Sequence, residues 1–232
     1  MKDKTALIVF AKAPIAGQVK TRLAPALGAE GAARLASRML DHTLESARAA
    51  GIGPIALCCA PDAAHASLIA AAARAGATRS VQADTDLGTR MTVALEAALQ
   101  SHARALLFGC DCPALSATVL RAADSALRST DLVFVPVADG GFVLVGAARH
   151  AMHRLLPLFT DVAWSTRGVM DALRARLNAQ AEHDAMRWVE LPALHDIDES
   201  ADLAHVPASW LAPPLESEAS LTSDDPSTRS IL

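Results

Sequence analysis

TALIVFA (residues 5–11), followed at once by KAPIAGQVKTRL (12–23), decides how this 232-residue chain is read. The first seven residues form an apolar run rich in β-branched side chains, the pattern of a strand covered on both faces in a parallel sheet. The next twelve contain Pro14 and Gly17, which break regular structure, and three cations, Lys12, Lys20 and Arg22, within eleven residues. A buried strand that empties into a basic loop puts that loop beyond the strand's carboxyl end, where open α/β sheets bind ligands.

Runs of the same style recur at PIALCCA (54–60), RALLFG (104–109) and DLVFVPV (131–137). Between them, 29–50, 62–75, 88–102 and 116–128 carry apolar residues three and four apart, the period of a helix with one buried face. Strand–helix alternation predicts an α/β fold with a mostly parallel sheet and right-handed crossovers. FVLVG (142–146) and RWVELP (187–192) read as further strands, and 166–182 as a helix with Thr166 at its N-cap. Residues 1–206 are expected to form one domain. From Pro207 the chain turns rich in Pro, Ser and acid without a period, and 207–232 is expected to be a mobile tail.

Composition narrows the function. With 52% hydrophobic and 20% charged residues, the chain is not a disordered one. A net charge of −4 argues against a protein that coats nucleic acid. The charge is uneven, because residues 1–28 hold five cations against Asp3 and leave −8 for the rest. A basic nose on an acidic body suggests a local anion site. No apolar run reaches the roughly 18 residues of a membrane span, and the stretch after Met1 is too short for a signal peptide, so a cytoplasmic protein is expected. Cys58, Cys59, Cys110 and Cys112 form no C-x-x-C pair and read as reduced, buried thiols.

Five segments offer chemistry, each with a plain structural alternative. Ala11 to Leu23 combines Gly17, which lets backbone amides approach a ligand, with Lys12, Lys20 and Arg22, a combination suited to a di- or triphosphate. It is neither a Walker A loop nor G-x-G-x-x-G, and a solvated basic loop is the alternative. Asp111 in GCDCP (109–113) ends an apolar strand and suits nucleotide-bound Mg²⁺, or else caps the turn before Pro113. Asp139 with Gly140 and Gly141 allows close approach of a ligand, or makes an ordinary hairpin turn. Asp196 and Asp198 share a direction on an extended segment and suit a metal, while Asp198 or Ser200 is also a cap candidate. In QADTDLGTRM (82–91), Gln82 can pair with a base edge and Leu87-Gly88-Thr89 can pack under a flat ring, or the stretch starts a helix at Asp86.

Together FAKAPIAGQVKTRL, QADTDLGTRM, GCDCP, ADGGF, WST and DIDESADL resemble, in order and over residues 5–205, a small bacterial GT-A-fold family that carries a provisional glycosyltransferase label. That family lies in the nucleotide-diphospho-sugar transferase superfamily, with the molybdopterin nucleotidyltransferases and phospholactate guanylyltransferase. The resemblance implies a three-layer α/β/α sandwich around a mostly parallel, mixed sheet. It implies phosphate contacts from Ala11, Lys12, Gly17, Lys20 and Arg22, base contacts from Gln82, Gly88 and Thr89, and Mg²⁺ or Mn²⁺ on Asp111 and on Asp196 or Asp198. Asp139 and its glycines would line the sugar or acceptor side, and Lys20, Arg22, Asp111 and Asp139 would carry catalysis. The partners implied are a nucleotide or nucleotide sugar and an acceptor. Three positions depart from the pattern: Phe142 stands where Tyr is usual, both neighbours of Asp111 are Cys, and Asp111 is not part of a full D-x-D.

The expected function is therefore metal-dependent glycosyl or nucleotidyl transfer from a nucleotide donor. A nucleotide-binding module without turnover is the rival that the departures motivate. An NAD-type oxidoreductase is disfavoured by the missing G-x-G-x-x-G.

Overall fold

The computed structural model describes residues 4–184 and 186–212. Its strands are β1 (Thr5–Lys12), β2 (Ile55–Ala60), β3 (Thr78–Val81), β4 (Arg104–Gly109), β5 (Leu132–Pro136), β6 (Phe142–Ala148) and β7 (Trp188–Glu190). Its helices are α1 (Ala24–Ala50), α2 (Ala66–Ala75), α3 (Leu87–Leu99), α4 (Ala117–Ala126), α5 (Leu155–Phe159), α6 (Val169–Asp184) and α7 (Ala208–Leu211). The helical path of α1 is interrupted at Gly28 (φ 69°, ψ 164°), one residue before the helix expected from periodicity.

One seven-stranded sheet runs in the order β3-β2-β1-β4-β6-β5-β7. β6 is antiparallel to both of its neighbours, and every other pair is parallel. The period-2 alternation of β1 splits the core. Leu7, Val9 and Ala11 join Leu40, Leu44, Leu68 and Leu120 beneath α1, α2 and α4. Ala6 and Ile8 join Met91, Leu95, Leu158 and Leu173 beneath α3, α5 and α6. The result is the expected α/β/α sandwich around a mixed, mainly parallel sheet.

The strand that sequence reading missed is β3. All four of its residues are exposed, so TRSV carries neither an apolar run nor an alternation. Helix α6 begins at Val169, and the Thr166 side chain does not cap it. Its hydroxyl donates to the Ala163 carbonyl at 2.8 Å. The composition change at Pro207 does not coincide with a loss of contacts. In α7, Trp210 meets the His42 ring edge-on at 5.0 Å, and the Trp210 carbonyl accepts from Arg38. The rest of the expected tail, 213–232, lies outside the described residues. Among the described residues, no helix is long and apolar enough to cross a membrane.

At the amino ends of β1 and β4, Thr5, Arg104 and Asp124 form a buried polar cluster. The Arg104 Nε donates to Asp124 Oδ1 at 2.9 Å, and the Thr5 hydroxyl donates to the same oxygen. Both charged side chains are about nine-tenths buried, at 10% and 8% exposure. Burial pushes the Asp124 carboxyl up, but donation from Thr5 and Arg104 outweighs it and holds the group below the usual carboxylate range. A depressed folded value means stability that is present above the unfolded pKa and lost as pH falls through the folded one. Asp124→Asn is expected to cost about 3 kcal/mol at neutral pH, since removing one partner of a buried pair leaves the other charge uncompensated. It should also flatten the acid limb. Urea unfolding of both proteins between neutral and acid pH checks both effects.

Candidate active site

The segments with candidate chemistry all leave the sheet at one edge. β1, β2, β4, β5 and β7 point the same way, so the loops after them, together with the start of the antiparallel β6, gather at the carboxyl edge. β7 lies four strand spacings from β1, about 19 Å. The chain after β7 crosses that gap as a strap. The Leu191 amide donates to Phe134 O at 2.9 Å, Leu194 to Pro136 O at 2.9 Å, and Ile197 to Asp111 O at 2.8 Å. Ile197 is fully buried with Leu23, Leu35 and Met39, which fastens the strap to the first loop and α1. Asp196 and Asp198 therefore arrive beside residues far from them in sequence.

Lys20 is the centre of the resulting charge cluster. Its backbone is left-handed (φ 48°, ψ 41°), an unusual conformation for a side chain with a Cβ. The side chain is 8% exposed. Its Nζ lies 2.9 Å from Asp111 Oδ1 and 3.5 Å from Asp198 Oδ1. Burial lowers the ammonium's pKa, but the charges of Asp111 and then Asp198 more than reverse this, so Lys20 stays protonated. Arg22 reaches the other oxygen of Asp198 at 2.8 Å and stands 3.9 Å from Glu199. Lys12 is exposed and makes no ion pair among the described residues.

Two further acids feel this cluster. Half-buried Asp196 is raised above the ordinary aspartate value, first by burial and then by the charge of Asp139, with Lys20 opposing. Asp139 is exposed, and its Oδ1 accepts from the Gly141 amide at 3.0 Å in the β5–β6 turn. Gly140 (φ 93°) is required there, because a Cβ would stand 1.9 Å from the Arg167 carbonyl oxygen. The Asp-Gly-Gly turn thus holds an ordinary hairpin and also brings Asp139 within electrostatic reach of Asp196.

Sequence reading missed the residue that fixes Asp198. The Asp202 carboxylate accepts from the Asp198 amide at 2.9 Å and the Glu199 amide at 2.6 Å. The N-cap of the following 3₁₀ turn is Glu199, paired with Asp202 in a capping box, and not Asp198 or Ser200. The spacing Glu199-x-x-Asp202 was the available signal.

The carboxylates fit a hard divalent cation in one particular way. Asp111 and Asp198 each direct an oxygen at one point, the Lys20 ammonium, and remain 56% and 48% exposed. Among the described residues, no three His, Cys, Asp or Glu side chains are grouped so as to hold a metal themselves. Two carboxylates completed by phosphate oxygens are the donor set of nucleotide-carried Mg²⁺ or Mn²⁺. The cysteines are all free, and burial pushes Cys59 and Cys112 up to about 11, so these two are protonated thiols, not nucleophiles.

The 82–91 segment stands apart from the Lys20 cluster, to which no hydrogen bond or ion pair joins it among the described residues. The Gln82 side-chain amide donates to Cys58 O at 2.9 Å, leaving its carboxamide oxygen for another partner. Asp86 caps α3, accepting from the Thr89 amide at 3.1 Å and the Thr89 hydroxyl at 2.6 Å. Gly88 is buried beneath Trp164, whose ring stands edge-on to Phe142 and Phe159.

This architecture is the nucleotide-diphospho-sugar transferase fold. The chain belongs to the bacterial family DUF2064, described as an uncharacterized protein conserved in bacteria, whose pattern matches residues 43–166. A protein of Desulfovibrio desulfuricans G20, provisionally named a nucleotide-diphospho-sugar transferase, is similar at 24% identity with a TM-score of 0.75, over 85% of this chain and 83% of that one. A nucleotidyl transferase of Methanothermobacter is similar at 14% identity and a TM-score of 0.60, over 90% and 98%. The manganese complex of Rv0371c from Mycobacterium tuberculosis H37Rv matches at 20% identity and a TM-score of 0.50, over 88% and 97%. No curated protein matches the chain.

Gly88 gives a direct test of packing in the 82–91 segment. A Cβ there would stand 2.7 Å from Phe159 O and 2.9 Å from the Trp164 ring. Gly88→Ala is expected to cost about 1–3 kcal/mol through overpacking. In a Trp164→Ala background the cost should fall only in part, because the Phe159 carbonyl oxygen at 2.7 Å remains. Thermal unfolding of the four proteins measures the coupling.

Proposed function

We propose that this chain is a metal-dependent transferase whose donor is a nucleoside polyphosphate or a nucleotide sugar. The observation that carries the reading is the buried Lys20 ammonium, 2.9 Å from Asp111 at the carboxyl end of β4. A cation taken out of water beside a strand-end carboxylate, at the edge where α/β sheets bind ligands, has no evident role in the core.

Charge makes the case for a metal. Asp111, Asp139, Asp196, Asp198 and Glu199 outnumber Lys20 and Arg22, the cations paired with them among the described residues, so a bare polyphosphate meets net repulsion. Asp111 and Asp198, with Asp196 behind them, would hold Mg²⁺ or Mn²⁺ arriving on the donor. The metal would supply Lewis-acid neutralisation of the departing phosphate. Lys20 and Arg22 would donate to its free oxygens, and Lys12 and the backbone at Gly17 would steer the phosphate chain. Asp139, exposed on its turn, is the group available to take a proton from an acceptor hydroxyl. On the base side, the Gln82 carboxamide oxygen and the backbone around Gly88 and Thr89 are the proposed contacts. Kinship with molybdopterin nucleotidyltransferases and phospholactate guanylyltransferase is part of this proposal, and so are its catalytic residues.

A thermal-shift panel of nucleotides and nucleotide sugars with Mg²⁺ or Mn²⁺ tests the reading. At ten times Kd a true donor should raise Tm by about 3 °C. With that donor and an acceptor screen, Asp111→Asn is expected to lower turnover about 100-fold. If no nucleotide stabilises the protein at millimolar concentration, the reading fails. Binding without turnover on any acceptor would favour the module reading, to which Phe142, lacking a hydroxyl, lends support.

A further inference from the structure

Lys20 and its carboxylates differ sharply in access to solvent. The Lys20 side chain is 8% exposed, whereas Asp111 and Asp198 are 56% and 48% exposed. An incoming cation meets the carboxylates first, while an incoming anion meets two negative groups in front of the ammonium it needs. We propose that Lys20 is masked in the free protein: Asp111 and Asp198 hold its ammonium as an internal counter-ion, and a polyphosphate gains Lys20 only once a divalent cation takes over those two carboxylates. This rests on the reading of the site as a polyphosphate site and adds its regulation.

The acids of this exchange sit on backbone that is tied into the fold. Asp198 is held at its second oxygen by Arg22 at 2.8 Å and at its amide by Asp202 at 2.9 Å. The Asp111 carbonyl is bonded to the Ile197 amide at 2.8 Å. Lys20, with four rotatable bonds beyond its Cα, is the member that can swing. Its left-handed backbone aims the side chain inward at the acids, and loss of their pull frees it to turn towards phosphate. The divalent ion then acts twice, by removing the negative screen and by releasing a buried positive charge. Metal and phosphate should bind with strong mutual dependence, each weakly alone.

Calorimetric titration with inorganic triphosphate, which needs no knowledge of the base, tests the masking. Wild type, Asp111→Asn, Lys20→Met and the double variant are each titrated in EDTA and in Mg²⁺, with circular dichroism as the check on folding. In EDTA, Asp111→Asn is expected to bind triphosphate about fivefold more tightly than wild type. In the Lys20→Met background the same substitution should change affinity less than twofold. In Mg²⁺ the sign reverses, and Asp111→Asn binds about tenfold more weakly. Asp198→Asn serves as the replacement if Asp111→Asn does not fold. No gain in EDTA, or a gain that persists without Lys20 and so reflects simple charge repulsion, overturns the masking. If wild type binds triphosphate with Mg²⁺ but the cycle shows no coupling, only the masking falls. If no protein binds triphosphate under either condition, the masking and the proposed function fall together.

Discussion

The return of the chain from β7 to β4 is the constraint on which the site depends. Without the strap, Asp196 and Asp198 would sit at the far end of the sheet, and Lys20 would face Asp111 alone. The strap is a run of three backbone hydrogen bonds to Phe134, Pro136 and Asp111, closed by the buried Ile197. Each bond is worth about 1 kcal/mol net, but each also satisfies an amide and a carbonyl at a sheet edge that carries no further strand ladder there. The same contacts that close the core therefore fix the geometry of the charges. A change that loosened Ile197 would move two carboxylates relative to Lys20 without touching either.

The amino-acid sequence made the central strands legible because burial on both faces leaves them nearly free of polar residues. Leu7, Ile8 and Val9, or Leu106, Leu107 and Phe108, have only one plausible environment. β3 was invisible for the opposite reason, since an exposed four-residue edge strand has no core to write its pattern. The reach of the site was partly legible. Strand-end positions located Lys20, Asp111 and Asp139, because a polar residue after an apolar run falls at an edge. The meeting of Lys20 with Asp198, 178 residues apart, follows from strand order, and no local pattern encodes that β6 and β5 intervene between β4 and β7.

The segment around Gly88 shows why a motif read from one sequence serves two masters. Asp86 and Thr89 cap α3, Gly88 leaves room for Trp164, and Gln82 ties the loop to the end of β2. Each of these residue types is also what a base-binding loop would use. Packing requirements and ligand requirements select the same small, polar set at a helix start, because both need a closely approached backbone and a satisfied first turn. Geometry separates them where sequence does not: three of these side chains have partners within the protein, and the carboxamide oxygen of Gln82 is what they leave over.

Two ion clusters at opposite edges of the sheet make the same separation for charge. At the amino edge, Arg104 and Asp124 are both about nine-tenths buried and joined by the Thr5 hydroxyl, with Arg128 reaching the second Asp124 oxygen at 3.3 Å from the surface. At the carboxyl edge only the cation is buried, and its carboxylates stand half in water. The Arg104–Asp124 pair ties β4 to α4, and Thr5 of β1 donates to the same carboxylate oxygen. A pair buried on one side leaves its acids able to trade partners while the core stays closed. The Lys20 cluster differs in burying its cation and exposing its acids: the loop after β1 turns the lysine inward, while Asp111 after β4 and Asp198 on the strap stay half in water.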